Sequence, residues 1–175
     1  MIIWFIGISG AGKTTLGKLL YKKLNKKIKN LLYIDGDEFR SLTGNNIGYS
    51  LKDRNTNAKR LINFIKYISD QKINIICAAN LTSKKYQSIA RKMFKKKYFE
   101  IFVQTSIETL ISERDYKQIY KKALQKKIKN VVGIDIKYSL PKNSNLIINN
   151  NRKKSDFSDV INKIISKSKI MKRKV

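Results

Sequence analysis

The sequence predicts an α/β fold, a three-layer sandwich in which a mostly parallel five-stranded sheet carries helices on both faces. Two observations predict it. Short apolar runs alternate along the chain with segments whose apolar residues recur at helical spacing, the pattern of parallel strands joined by right-handed crossovers. The first apolar run ends in a glycine-rich loop, GISGAGKTT at residues 7–15, which opens directly onto a helical segment.

Residues 2–6 are continuously apolar and read as a buried strand rather than the core of a secretion signal, since no basic segment precedes them. Lys13–Leu24 reads as a helix, with Leu16, Leu19, Leu20 and Leu24 on one side. Leu31–Ile34 is a second strand ending at Asp35, and the Gly, Asn and Ser of residues 44–52 predict a loop. Ala58, Leu61, Ile62, Ile65 and Ile68 mark a helix, and Ile73–Ala79 a third strand. Tyr86, Ile89, Ala90, Met93 and Phe94 mark another helix, followed by a strand at Phe99–Val103. Residues 106–129 read as helical and very basic. Leu146–Ile148 is a short last strand, and Phe157, Val160, Ile161, Ile164 and Ile165 give a final helix with a basic tail. In such sheets ligands bind beyond the carboxyl ends of the strands. Those ends carry Gly7–Thr14, Asp35–Arg40 and Ala79–Ser83.

Composition narrows the classes. The 175 residues suit a single domain spanning 1–175. No apolar run approaches the ~18 residues of a membrane helix. A lone cysteine, Cys77, excludes an internal disulfide and fits a reducing cytoplasm. The absence of histidine excludes imidazole-based metal sites and acid–base chemistry. With 39 Lys and Arg against 12 Asp and Glu, the formal charge is +27. The lysines are spread over nearly every helical segment, and no stretch interleaves them with stacking aromatics. That argues against a nucleic-acid partner, while the field still draws in anionic nucleotides.

Gly7, Gly12, Lys13 and Thr14 satisfy G-x-x-x-x-G-K-[ST] between a strand and a helix, the context that the phosphate-binding loop of P-loop NTPases requires. Its glycines let the backbone wrap phosphates at a helix N-terminus. Lys13 is placed to reach the β- and γ-phosphates and Thr14 to hold Mg²⁺. Hydrolases, kinases and motors share this loop, but a switch GTPase would want an N-K-x-D motif that is absent, and the short chain favours a small-molecule kinase. In YIDGDEFR, residues 33–40, Asp35 and Asp37 follow a strand end on the same rim. A carboxylate there can take the proton of an acceptor hydroxyl or hold a metal-bound water, or it can simply cap the next helix. Arg40 could grip an acceptor phosphate with both arms of its guanidinium.

Five blocks in register resemble the adenylylsulfate kinase family: GISGAGKTT (7–15), DGDEFR (35–40), GYSLKDRNTNAKR (48–60), ERDYKQIYKKA (113–123) and IKNVVGIDIKYSLP (128–141). The similarity runs from about Ile3 to Ile148. It implies transfer of the γ-phosphate of MgATP to the ribose 3′-hydroxyl of a nucleotide. It assigns ATP to Gly7, Ser9, Gly10, Ala11, Gly12, Lys13, Thr14, Thr15 and Arg114, and the chemistry to Asp37 with Asp35 and Lys13. It places Arg40, Arg54 and Asn57 on the acceptor's phosphate-anhydride end. It makes the segment at about 114–130 a lid that carries Lys117, Lys121 and Lys122 over the phosphates, and it suggests a homodimer.

Two departures fall on the acceptor side. Where the family places an aromatic residue, usually Phe, on the acceptor's adenine, this chain has Val131, and the family's second stacking ring appears as Tyr49. After the third strand the family's F-I-S-P-x-R becomes AANLTSKK, with Leu81 for serine, Thr82 for proline, Lys84 for arginine and an added amide at Asn80. The ATP side is intact. The expected acceptor is therefore an altered nucleotide. One branch of the family phosphorylates cytidine diphosphoramidate, in the phosphoramidate decoration of capsular polysaccharide. The smaller base suits Val131, and the amine suits Asn80. Adenylylsulfate itself is the alternative, with Tyr49 stacking alone.

Overall fold

Strand β1 (Ile2–Ile6) lies at the centre of the molecule. The structure, a computed structural model, describes residues 1–43, 47–151 and 157–170. The other strands are β2 (Leu31–Asp35), β3 (Asn74–Ala78), β4 (Tyr98–Gln104) and β5 (Leu146–Asn149), in the sheet order β2-β3-β1-β4-β5. Every pairing is parallel, as the alternating pattern predicts. All of β1 is buried, which is why it reads as an unbroken apolar run rather than an alternating one. Ile3 and Phe5 face Leu16, Leu20 and Leu24 of α1 (Lys13–Leu24) and Ile161 and Ile164 of α7 (Ser158–Ser168). Ile2, Trp4 and Ile6 face Leu61, Ile62 and Ile65 of α3 (Leu51–Asp70) and Ala90 and Phe94 of α4 (Lys84–Phe94). Each Ile, Leu or Phe among them contributes about 1.5–3 kcal/mol when fully buried. Trp4 also donates its indole N–H to the Ala79 carbonyl at 2.9 Å, fixing the chain where it leaves β3.

Three stretches differ from the sequence expectation. A short helix, α2 (Gly36–Leu42), follows β2 at once, because Asp35 accepts from the Asp37 amide and caps it. The loop expected over 44–52 ends at Ser50, since the Ser50–Asp53 capping box starts α3 one residue later; residues 44–46 lie outside the described residues. The segment 106–129 is not one helix. It breaks into α5 (Ile107–Thr109), a π-helical turn (Leu110–Arg114) and α6 (Ile119–Leu124). The break has a local cause. The Asp115 carboxylate accepts from the Lys121 amide at 2.8 Å and its carbonyl from the Gln118 amide at 2.7 Å. Those bonds draw the backbone out of the helical ladder. The basic tail expected after the last helix falls at 171–175, outside the described residues.

Strand β4 carries a buried charge. Glu100 of β4 is fully buried among the Arg91 guanidinium, the Tyr98 hydroxyl at 3.1 Å and the Ser144 hydroxyl at 2.7 Å. Burial and the Glu100 carboxylate push the Tyr98 hydroxyl well above its usual pKa, so it stays a donor. Removing Arg91 would leave a carboxylate buried without its counter-charge. Arg91→Leu is expected to cost about 3–5 kcal/mol in urea unfolding, and the double variant with Glu100→Leu to recover part of that loss.

Candidate active site

The loop after β1 is shaped by what holds its carbonyl oxygens. The Ile8 carbonyl accepts from the Lys13 ammonium at 2.8 Å, and the Ser9 carbonyl from the Tyr120 hydroxyl at 2.8 Å. The Ala11 carbonyl accepts from Asn150 Nδ2 at 2.8 Å and from the Thr105 hydroxyl at 3.4 Å. Oxygens that would repel a phosphate are thus engaged elsewhere. Gly12 has φ of 101°, and a Cβ there would stand 2.6 Å from Asn150 Nδ2, so only glycine fits. At Gly7 a Cβ would meet the Val103 carbonyl at 2.5 Å.

Lys13 opens α1 beside two carboxylates. Burial lowers its pKa to about 8, against the pull of Asp37 and Asp35. Thr14, the next residue, donates its hydroxyl to Asp35 Oδ2 at 2.7 Å, and the Tyr33 hydroxyl reaches the same oxygen at 3.2 Å. The other oxygen of Asp35 caps α2 through the Asp37 amide at 2.9 Å. The capping reading of Asp35 therefore holds, and it coexists with the pairing to Thr14. Asp35 is buried, whereas Asp37 is exposed. The Thr14 hydroxyl and the Asp35 carboxylate form a hard oxygen pair of the kind Mg²⁺ takes alongside nucleotide phosphates.

The residues expected to hold the acceptor form a second cluster. The Arg40 guanidinium lies 4.9 Å, and that of Arg54 5.4 Å, from the centre of the Tyr49 ring. Arg40 donates to the Gly48 carbonyl at 2.7 Å. Arg54 donates through Nε to the Tyr49 carbonyl at 2.9 Å and through Nη2 to the Asn130 carbonyl at 2.8 Å. Burial, then the neighbouring Arg40 charge, lowers the pKa of Arg54. Asn57 is buried on α3, with no hydrogen-bond partner for its Oδ1 among the described residues. Asn80 donates to the Thr82 hydroxyl at 3.3 Å. Leu81 and Val131 sit differently from the expectation. Both side chains are buried in the two core clusters, so what these positions offer the rim is backbone. Lys117, Lys121 and Lys122 are exposed around α6, whose Tyr120 and Ala123 face the core.

Sequence reasoning missed Tyr120, Thr105 and Asn150. Tyr120 and Ala123 have ordinary helical spacing, and Asn150 lies in a run of asparagines that reads as a loop. What identifies them is the set of loop carbonyls they hold.

The lowered pKa of Lys13 carries a pH signature. Bound phosphates favour the ammonium and raise its pKa, so above about pH 8 ATP binding must take up a proton and affinity must fall as pH rises, by up to about tenfold per unit. Calorimetry in two buffers of different ionisation enthalpy should show uptake approaching one proton at about pH 9 and almost none at about pH 7. Lys13→Met should abolish the uptake.

The model of the adenylylsulphate kinase family matches residues 1–149. The chain is 41% identical over 149 residues to the cytidine diphosphoramidate kinase of Campylobacter jejuni, covering 85% of this chain and 85% of that protein. It is 32% identical over 172 residues to the adenylyl-sulfate kinase of Thermodesulfovibrio yellowstonii, covering 98% of this chain and 82% of that protein. Its structure superposes on the Mycobacterium tuberculosis APS kinase CysC in complex with AMPPNP and APS with a TM-score of 0.84, at 28% identity and 96% coverage of each chain. The phosphate loop, the paired carboxylates, the arginine cluster and these likenesses agree: the chain belongs to the adenylylsulphate kinase family and is a phosphotransferase.

Proposed function

We propose that the protein transfers the γ-phosphate of MgATP to the ribose 3′-hydroxyl of cytidine diphosphoramidate. The observation that carries this reading is the 41% identity to the Campylobacter jejuni enzyme, against 32% for the adenylyl-sulfate kinase compared. The sequence departure at Asn80, on the acceptor side, supports it. In the reaction the 3′-oxygen forms a bond to the γ-phosphorus and the bond to the β–γ bridging oxygen breaks. The hydroxyl proton passes to the exposed Asp37 carboxylate, and ADP leaves. Lys13 follows the charge onto the leaving phosphate, and Lys117, Lys121 and Lys122 supply further cations from the lid. Arg40, Arg54 and Asn57 grip the acceptor's diphosphate, with Tyr49 available to stack on its base. Thr14, supported by Asp35, would hold Mg²⁺, which neutralises charge on the β- and γ-oxygens.

A second reading has its own observation. Tyr49 is 58% exposed and so available to stack on adenine, which makes adenylylsulfate the competing acceptor. The family likeness also supports a homodimer, which sedimentation would reveal. The lone, buried Cys77 supports a reducing, cytoplasmic setting.

ADP release should be measured with MgATP and each acceptor in parallel. The expected result is a kcat/KM at least about tenfold higher for cytidine diphosphoramidate; a preference for adenylylsulfate would place the protein in sulfate activation. Asp37→Ala is expected to lower turnover by about 10²-fold or more while ATP affinity stays close to that of the parent protein. Turnover near the parent level would remove Asp37 from the mechanism.

A further inference from the structure

The two ends of the Asn80 amide are unequally used. Its Nδ2 donates to the Thr82 hydroxyl at 3.3 Å, while its Oδ1 is enclosed and has no hydrogen-bond partner among the described residues. The chain around it is pinned. The Ala79 amide donates to the Phe5 carbonyl at 3.1 Å, Trp4 holds the Ala79 carbonyl, and the Ser83 hydroxyl donates to Asn55 Oδ1 at 3.0 Å. Asn80 is therefore a fixed group on the rim. Its place in the sheet is beside the paired carboxylates. Asp35 is in register with Ala78, and a Cβ on Gly36 would lie 2.6 Å from that of Ala79. Ser83 ties the same segment to the first turns of α3, which carry Arg54 and Asn57.

An enclosed amide oxygen without a donor is costly in a folded protein, and a ligand that brings an N–H or O–H to it removes that cost. The tail of a nucleoside diphosphate or of a sulfate anhydride offers only acceptor oxygens near neutral pH. A phosphoramidate tail ends in an amine with N–H donors. We infer that Asn80 Oδ1 accepts a hydrogen bond from this terminal amine and that the contact distinguishes the amidate from the plain diphosphate. Recognition of the tail thus rests on an amide oxygen that has no donor among the described residues. The inference depends on cytidine diphosphoramidate being the acceptor.

The test compares kcat/KM for cytidine diphosphoramidate and cytidine 5′-diphosphate in the parent protein, Asn80→Leu and Asn80→Asp. The parent should prefer the amidate by about tenfold or more, because a site built around a hydrogen bond rejects the analogue that cannot make it. Asn80→Leu should narrow the ratio to within about threefold, chiefly through the acceptor KM. Asn80→Asp should widen it, since a carboxylate still accepts from the amine but repels a terminal phosphate. An unchanged ratio in Asn80→Leu overturns the assignment of Asn80 while leaving the acceptor standing. A parent protein that ignores the amidate and phosphorylates adenylylsulfate overturns both. Should Asn80→Leu not fold, a ratio in Asn80→Asp equal to or below the parent's overturns the inference on its own.

Discussion

A backbone that wraps a polyphosphate must dispose of its own carbonyl oxygens, and much of this structure follows from that constraint. The oxygens of Ile8, Ser9 and Ala11 are held by Lys13, Tyr120, Asn150 and Thr105. These donors come from the start of α1, from α6 and from the carboxyl ends of β4 and β5. The loop is therefore held by parts of the chain far apart in sequence. The short edge strand β5 delivers Asn150 against Gly12, and the sheet must be in register from β1 to β5 for that contact to form.

The legible parts of the sequence are those where one physical requirement dominates. β1 and β3 are buried along their whole length, and apart from Asn74 at the start of β3 both are unbroken apolar runs. The phosphate loop is legible because its backbone angles demand glycine at fixed positions. Periodicity failed over residues 106–129, where the hydrogen bonds of Asp115 outweigh helical spacing. It also failed to reveal α2, a helix of two turns whose only signal is the cap at Asp35. Leu81 and Val131 match a family pattern by position, and a pattern records position without the direction of a side chain. Tyr120 and Asn150 serve backbone atoms, and a residue that serves backbone leaves no motif.

The charge balance has two scales. At long range a net charge of +27 draws nucleotides in, and salt weakens that attraction. At short range the rim is not simply positive. Asp35 and Asp37 stand beside Lys13 and partly offset the effect of its burial. The carboxylates keep an ammonium available inside the loop, and the ammonium in turn tolerates two negative groups where more negative charge must bind.

Arg54 is fixed before any ligand arrives. One nitrogen donates to the Tyr49 carbonyl, another to that of Asn130, and the guanidinium carbon lies 5.4 Å from the centre of the Tyr49 ring. Its remaining N–H groups point from a position set by two separate segments of the chain. A flexible arginine follows its partner; this one makes the partner come to it. Its ordering is met in folding rather than in binding, a difference of about 0.5–1.5 kcal/mol for a long side chain. Any ligand that meets this guanidinium finds its position already set by the Tyr49 and Asn130 carbonyls.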